Sequence, residues 1–383
     1  MPKRRHLRLL SGFVALGLLA AACGDDDDGD GPTTTEADAG TTDEGAASQD
    51  EVTLDELCTE AKDAGVEAPE GFTVRLVTDI GKVDDRTFNQ FAFEGMQAAA
   101  DCFGFDTSYI ETVSQADYAQ NIATSLQGGP DVVITTGSLL ATDTLSAANA
   151  NPDTDFIGLD QFHPEYPGNY VGVLYREDEG GYLAGVMAAS LSETGVVGVV
   201  GGRQDVPPVV KLVNGYEAGA KSVNPDVQVL SVYNESFDDT AKGESDARQF
   251  IGEGADVIFG AGGKTGSAAV QAAALDGVWG IGVDQDEYFT TFDGGTAPGA
   301  DRIATSAVKR VDIGVFDQIV AALDGTFEGG SVTFAAADGG VTYAPFHDAD
   351  IPEEAAAALE EARQGLADGS IETGIDPVTG EPQ

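Results

Sequence analysis

Nine short β-type runs, separated by stretches of helical period, constrain this chain more than any other feature of it. They lie at 73–78, 106–110, 132–135, 156–159, 171–174, 196–200, 227–232, 257–259 and 279–283. Amphipathic segments such as 88–101, 118–126, 183–191, 209–223, 240–251 and 266–275 fall between most of them. β-branched runs spaced by helices predict βαβ units and parallel sheets. The runs are apolar on both faces, as strands covered by helices on both sides should be. The pattern occurs twice, before Tyr175 and after Gly195. The expectation is therefore an α/β protein of two doubly wound parallel-sheet lobes joined by a hinge. Helix candidates at 307–323 and 352–366 return to cover the lobes. The expected division is 71–176 plus 286–330 for the first lobe, 177–285 plus 331–371 for the second, and a flexible tail at 372–383.

The first residues read as an export signal. Lys3, Arg4, Arg5 and Arg8 make a positive start, Leu9 to Ala22 an apolar run, and Ala20-Ala-Ala-Cys23 a small-residue cleavage site. The apolar run is about fourteen residues, too short to span a bilayer comfortably. Cys23 after small residues resembles a bacterial lipobox, with residues 1–22 as signal peptide and Cys23 lipidated. Residues 23–70 then form an anchored acidic linker, with a short helix near 53–64. Asp25-Asp-Asp-Asp28 opens a tract without Lys or Arg as far as Glu56. Such a tract cannot bury enough apolar surface to offset chain entropy, so it is expected to stay extended. The protein is expected on the outer face of the cell membrane, in membrane contact through that lipid.

The formal charge of −47 argues against nucleic acid, because no basic patch exists to displace phosphate counterions. With Cys23 assigned to lipid, Cys58 and Cys102 remain. In an exported chain they either pair as a disulfide or stay as buried thiols, and pairing is the expectation.

Signals for catalysis fail one by one. Gly260-Ala-Gly-Gly-Lys-Thr265 follows a strand like a phosphate loop, but Ile258 occupies the position of the first glycine. The dinucleotide pattern fails at Thr265. No Gly-x-Ser-x-Gly occurs, and His6, His163 and His347 form no zinc-spaced cluster. Asp85 and one of Asp238 and Asp239 read as helix caps. Nothing poises a base against a reacting group. The expectation is a protein that is not an enzyme, with no cofactor and no metal.

Binding signals are better. Ligands of open α/β sheets sit beyond the carboxyl ends of the strands. Val77-Thr-Asp-Ile-Gly-Lys-Val-Asp-Asp-Arg-Thr-Phe-Asn-Gln90 puts an aromatic (Phe88) and an amide (Asn89) at such an edge, with Asp79 as a turn brace. Asp160 and Asp284 each end an apolar strand, in Phe156-Ile-Gly-Leu-Asp160 and Gly280-Ile-Gly-Val-Asp284. Gly262 and Gly263 offer a turn with backbone donors. Trp279 reads as core, and Tyr118 and Tyr182 as packing residues.

These segments, together with Ala116-Asp-Tyr-Ala-Gln-Asn121, Gly181-Tyr-Leu-Ala-Gly185, Gly201-Gly-Arg-Gln-Asp-Val-Pro207, Asn214-Gly-Tyr-Glu-Ala-Gly219 and Thr305-Ser-Ala-Val-Lys-Arg-Val-Asp312, run in one order. The chain resembles the basic membrane protein (BMP) family of substrate-binding lipoproteins, the family of the purine nucleoside receptor A lipoprotein. The resemblance covers roughly residues 72–371. It implies a two-lobed, periplasmic-binding-protein-like fold of type I. Its members capture a nucleoside and hand it to an ABC permease in the membrane; the receptor is expected as a monomer. Carried over by position, Phe88 stacks on the base, Asn89 and Asp160 bond it, and Asp284 and Lys309 hold the ribose. Gly262 and Gly263 donate from the backbone, and Phe259 closes the other face of the base. Lys82, Val83 and Lys264 depart from the family's glycine loops. A sugar receptor of the same fold is the nearest alternative, and a cell-surface nucleoside hydrolase is the alternative of a different class.

Overall fold

The computed structural model describes residues 52–383. The expected signal, Cys23 and most of the acidic tract lie outside the described residues. The helices are α1 (Leu54–Asp63), α2 (Phe88–Phe103), α3 (Tyr118–Ser125), α4 (Ala141–Ala150), α5 (Glu177–Leu191), α6 (Pro207–Val223), α7 (Thr240–Gly252), α8 (Gly263–Leu275), α9 (Glu287–Thr290), α10 (Val311–Asp324) and α11 (Glu353–Asp368). The strands are β1 (Thr73–Ile80), β2 (Asp106–Thr112), β3 (Val132–Thr136), β4 (Asp155–Leu159), β5 (Tyr170–Tyr175), β6 (Val196–Gly201), β7 (Gln228–Tyr233), β8 (Val257–Ala261), β9 (Trp279–Asp284), β10 (Ile303–Lys309), β11 (Gly330–Phe334) and β12 (Val341–Tyr343).

They make two six-stranded sheets of matching topology. One has the order β11-β5-β4-β3-β1-β2 and the other β12-β10-β9-β8-β6-β7. All pairs are parallel except β12 against β10. In each lobe the first five strands follow the doubly wound order 2-1-3-4-5, whose switch point lies between the first and third strands. Central strands such as β3 and β10 are buried along their whole length, because helices cover both faces. In the first lobe α2 and α10 cover one face, and α3 and α4 the other. In the second, α5, α6 and α11 cover one face, and α7 and α8 the other.

Two helices of the second lobe meet backbone to backbone. A Cβ at Gly181 or Gly185 of α5 would stand 2.2 and 2.1 Å from the Leu212 and Tyr216 carbonyl oxygens of α6. The spacing of four puts both glycines on one face of the helix. The segments Gly181-Tyr-Leu-Ala-Gly185 and Gly215-Tyr-Glu-Ala-Gly219 are thus two halves of one contact.

Several expected boundaries move. Residues 286–309 were expected in the first lobe, but β10 pairs with β9 in the second sheet. The helix expected at 307–323 starts at Val311, since Ala307 to Lys309 are ladder residues. β11 completes the first sheet although 331–334 was expected in the second lobe. The chain therefore crosses between lobes after β5, after β10 and after β11. The crossings are bonded together: Arg176 N–H donates to the Phe334 carbonyl and Arg310 N–H to the Gly340 carbonyl, both at 2.9 Å.

Within the described residues, the linker expected to be disordered as far as residue 70 carries a helix, α1. A capping box of Thr53 and Glu56 starts α1, near the helix expected there. A disulfide between Cys58 and Cys102 ties α1 to α2, with the Cα atoms 5.9 Å apart. The tail expected to be flexible is packed. Asp376 Oδ1 accepts from the Val378 and Thr379 N–H groups, closing a turn, and Asn214 Nδ2 donates to the Gly380 carbonyl at 2.7 Å.

Candidate ligand-binding site

The carboxyl ends of the two sheets face each other across a cleft. From the first lobe it is lined by Asp79, Asp85, Phe88, Asn89, Gly137 and Asp160; from the second by Leu212, Phe237, Gly262, Asp284 and Lys309, among others. Of the eight sequence-predicted ligand residues, seven line this cavity: Phe88, Asn89, Asp160, Gly262, Gly263, Asp284 and Lys309.

Phe259 does not. It lies mid-strand in β8, fully buried, stacked on Tyr216 at 5.3 Å between ring centroids. A residue inside a parallel strand points into a helix-covered face, so only the strand ends reach the cleft. The second lobe instead offers Phe237, from the loop between β7 and α7. Its ring lies over the glycine turns, where a Cβ at Gly202 would stand 2.3 Å from it. The glycine pairs at the ends of β6 and β8 mark a close approach, part of it backbone to backbone between Gly202 and Gly262, but do not say which residue covers them.

The β1–α2 turn is built around Asp85. Its Oδ1 accepts from the Thr87 and Gln90 N–H groups and its Oδ2 from the N–H and Nδ2 of Asn89, at 2.9–3.1 Å. Asp85 therefore caps α2, as expected. Burial nevertheless pushes its carboxyl up, against these four bonds. Asn89 is held as well: its Oδ1 accepts from Thr136 Oγ1 at 2.5 Å and from Asp79 N–H at 3.3 Å. Asp79, expected only to brace the turn, also lines the cavity. Tyr118 donates its phenol to Asp79 Oδ1, and burial raises the Asp79 carboxyl despite that bond.

Asp160 and Asp284 occupy equivalent places in the two lobes. Asp160 directly follows β4 and Asp284 ends β9, the fourth strand of each lobe, and both have left-handed backbones, at φ 60° and 65°. Aspartate tolerates that region better than most residues. Burial raises Asp160 to about 7, with Lys309 opposing and Glu177 adding to the rise. Burial raises Asp284 to about 6, again against Lys309.

Lys309 departs most from expectation. Expected beside Asp284 on a ribose, its ammonium instead donates to both oxygens of Asp160 and to Glu177 Oε1. It lies 4.9 Å over the Phe88 ring and 4.8 Å over that of Tyr175. Burial acts to lower it, but Asp160, Glu177 and Asp284 hold it charged. Sequence reasoning missed Glu177, for no local pattern ties it to residue 309. Gln285 Nε2 donates to the Thr87 carbonyl at 3.2 Å, a second polar contact between the lobes. At Gly262 the cavity meets the start of α8, which has no side-chain cap. Helix N-termini with free N–H groups suit acceptor atoms of a ligand.

A cavity between two lobes, lined by aromatics and carboxylates at strand ends, is the form of a small-molecule receptor. Comparison with known proteins agrees. A family model described as "ABC transporter substrate-binding protein PnrA-like" matches residues 72–362. The CD4+ T-cell-stimulating antigen of Listeria monocytogenes is 30% identical over 394 residues, covering 98% of this chain and 100% of that one. The ABC transporter nucleoside-binding protein BmpA of Lactococcus lactis is 34% identical over 311 residues, covering 77% of this chain and 87% of that one. A solved ABC transporter solute-binding protein from Aeropyrum pernix superposes with a TM-score of 0.68 at 26% identity, covering 79% of this chain and 92% of that one. This chain belongs to the family of PnrA-like substrate-binding proteins of ABC transporters.

Proposed function

We propose that the cleft captures a nucleoside, with a purine base, outside the cell and delivers it to a membrane permease. The observation that carries this reading is that one cavity holds Phe88 and Phe237 from opposite lobes together with Asp160 and Asp284. A purine has two π-faces and a hydrogen-bonding edge; its ribose presents vicinal hydroxyls that donate to carboxylates. Phe88 and Phe237 take the faces, Asp160 the edge and Asp284 the hydroxyls. Asn89, anchored by Asp85 and Thr136, offers its remaining amide hydrogen to the base. Gly262 and Gly263 add backbone donors. The nucleoside-binding description of the Lactococcus lactis relative supports the same ligand class.

Contacts from both lobes stabilise the closed state, so capture is lobe closure on the ligand. No bond is made or broken. Cys23, lipidated after removal of residues 1–22, tethers the monomer to the outer face of the membrane, beside its permease.

The test is a thermal-shift series with inosine, adenosine, guanosine, cytidine and ribose. Stabilisation by a purine nucleoside at micromolar concentration is expected. Stabilisation by ribose alone would move the reading to a sugar receptor, and no response to any of them would overturn it. Chromatography after incubation should return the nucleoside intact.

A further inference from the structure

Two buried residues outside the cleft lining complete a chain of charges with two that line it. Lys309 Nζ donates to Asp160 Oδ1 and Oδ2 at 2.7 and 2.6 Å and to Glu177 Oε1 at 2.8 Å, which uses all three of its donors. The other Glu177 oxygen pairs with Lys211, whose ammonium also donates to the Tyr175 carbonyl at 2.9 Å. The order is acid, base, acid, base. Asp160 comes from the first lobe, at the end of β4. Lys309 ends β10, Glu177 begins α5 and Lys211 lies on α6.

We propose that Glu177 and Lys211 are positioning residues that act through Lys309 to set the charge Asp160 presents to a ligand. The proposal rests on the nucleoside reading of the cleft, in which donors on the ligand meet Asp160 and Asp284. The charged groups acting on Asp160 are Lys309 from β10, Glu177 from α5 and Lys211 from α6; the Tyr175 phenol from β5 feels Asp160 in turn, and Asp284 from β9 acts on the same Lys309. Three carboxylates face two ammonium groups. One negative charge is in excess where water is scarce, and burial penalises it. Glu177 raises the Asp160 carboxyl and Lys211 lowers it, as their charges require.

The two residues therefore have opposite effects. Glu177→Gln leaves two acids facing two bases, and Asp160 ionises more readily. Lys211→Met leaves three acids facing one base, and Asp160 holds its proton to higher pH. Removing both restores an excess of one acid.

The experiment measures inosine affinity by calorimetry from pH 5 to 9 for the wild type, E177Q, K211M and E177Q/K211M. The Asp160 carboxyl carbon is followed by NMR over the same range in ligand-free protein. E177Q is expected to move both midpoints down by about one pH unit and K211M to move them up by about as much. The double variant should return near the wild type. Where K211M does not fold, E177Q and the double variant, which removes the ion pair as a unit, carry the comparison. A purely structural role would weaken binding without moving the midpoints, and that result, or shifts of the same sign in both single variants, overturns the proposal. If wild-type protein does not bind inosine, the nucleoside reading fails, while the carbon titration still decides whether Glu177 and Lys211 govern Asp160.

Discussion

Lys309, at the carboxyl end of β10 in the second lobe, donates to both carboxylate oxygens of Asp160, at the carboxyl end of β4 in the first, at 2.7 and 2.6 Å. The bond closes the hinge end of the cleft with opposite charges from opposite lobes. A buried pair of this kind contributes little net stability, because desolvation offsets attraction, but breaking it is costly. It therefore specifies where the lobes meet more than how tightly the protein folds.

The same carboxylates set opposite trends with pH. Asp160 and Asp284, at about 7 and 6, and the buried Glu287, at about 7, lie well above their unfolded values near 4. A carboxyl raised on folding stabilises the folded state below the unfolded value, and that stability is lost as pH rises through the folded value. Glu177 and Glu360, each held at about 2, act at lower pH, where their contribution disappears as pH falls. Between pH 5 and 7.5 the raised group dominates. Urea unfolding of ligand-free protein should show stability falling across that window. Nucleoside affinity should rise across it, since hydroxyl donors need ionised carboxylates. Parallel trends in the two measurements would contradict the assignment of Asp160 and Asp284 to the ligand.

The three phenylalanines separate binding from folding. Phe88→Ala and Phe237→Ala each remove a ring that lines the cleft, and stacking on a base is worth about 1–3 kcal/mol. Affinity should fall roughly 5- to 150-fold with the fold intact. Phe259→Ala removes a fully buried ring stacked on Tyr216, a change that costs about 3–5 kcal/mol of stability. Calorimetry and denaturation on the three variants should give this split. A loss of affinity at Phe259→Ala without loss of stability would reinstate that residue as a ligand contact.

What the sequence showed, and what it hid, follows from the range of the interactions. Most of β1 to β9 were readable as apolar runs with both faces covered, whereas β2 and β7, at the sheet edges and partly exposed, were readable from β-branched and aromatic residues. β10 was not: Ala304, Ser306 and Ala307 carry little β-signal, and 307–309 continue smoothly into the helix period of α10. Only pairing with β9 makes them a strand. Seven cleft residues were readable because strand ends and glycine turns mark them locally, most of them through the family's motifs. Phe237 sits in an irregular loop and is defined by what it covers. The Lys309 contacts with Asp160 and Glu177 join residues 149 and 132 positions apart, which no periodicity reports.

The disulfide should matter for α1 and little for the cleft. Cys58 and Cys102 are separated by 44 residues, and closing a loop of that size limits the unfolded chain by about 4 kcal/mol in the entropic account. No residue of α1 lines the cleft. Reduction, or replacement of both cysteines by Ala, should lower the denaturation midpoint and expose α1 to protease while inosine affinity stays within about twofold, under 0.5 kcal/mol. A large loss of affinity would mean that α1 governs lobe closure.

The α5–α6 contact offers the sharpest reversal of an ordinary rule. Replacing a helical glycine by alanine usually stabilises by about 0.4–1 kcal/mol. At Gly252, where an added Cβ meets nothing within 4 Å, that gain is expected. At Gly215 the Cβ would stand 2.2 Å from the Asp178 carbonyl oxygen, in the helix turn that carries Glu177, with Lys211 one turn away on α6. Backbone atoms cannot rotate aside, so α5 and α6 must separate, and overpacking of this kind costs about 1–3 kcal/mol. Gly215→Ala should therefore lower the urea midpoint while Gly252→Ala raises it. It should also weaken inosine binding, because parting the helices pulls Lys211 from Glu177 and loosens Lys309 at the cleft. Equal midpoint shifts in the two variants would show that the helices can part freely, and the link from this contact to the cleft would fall with it.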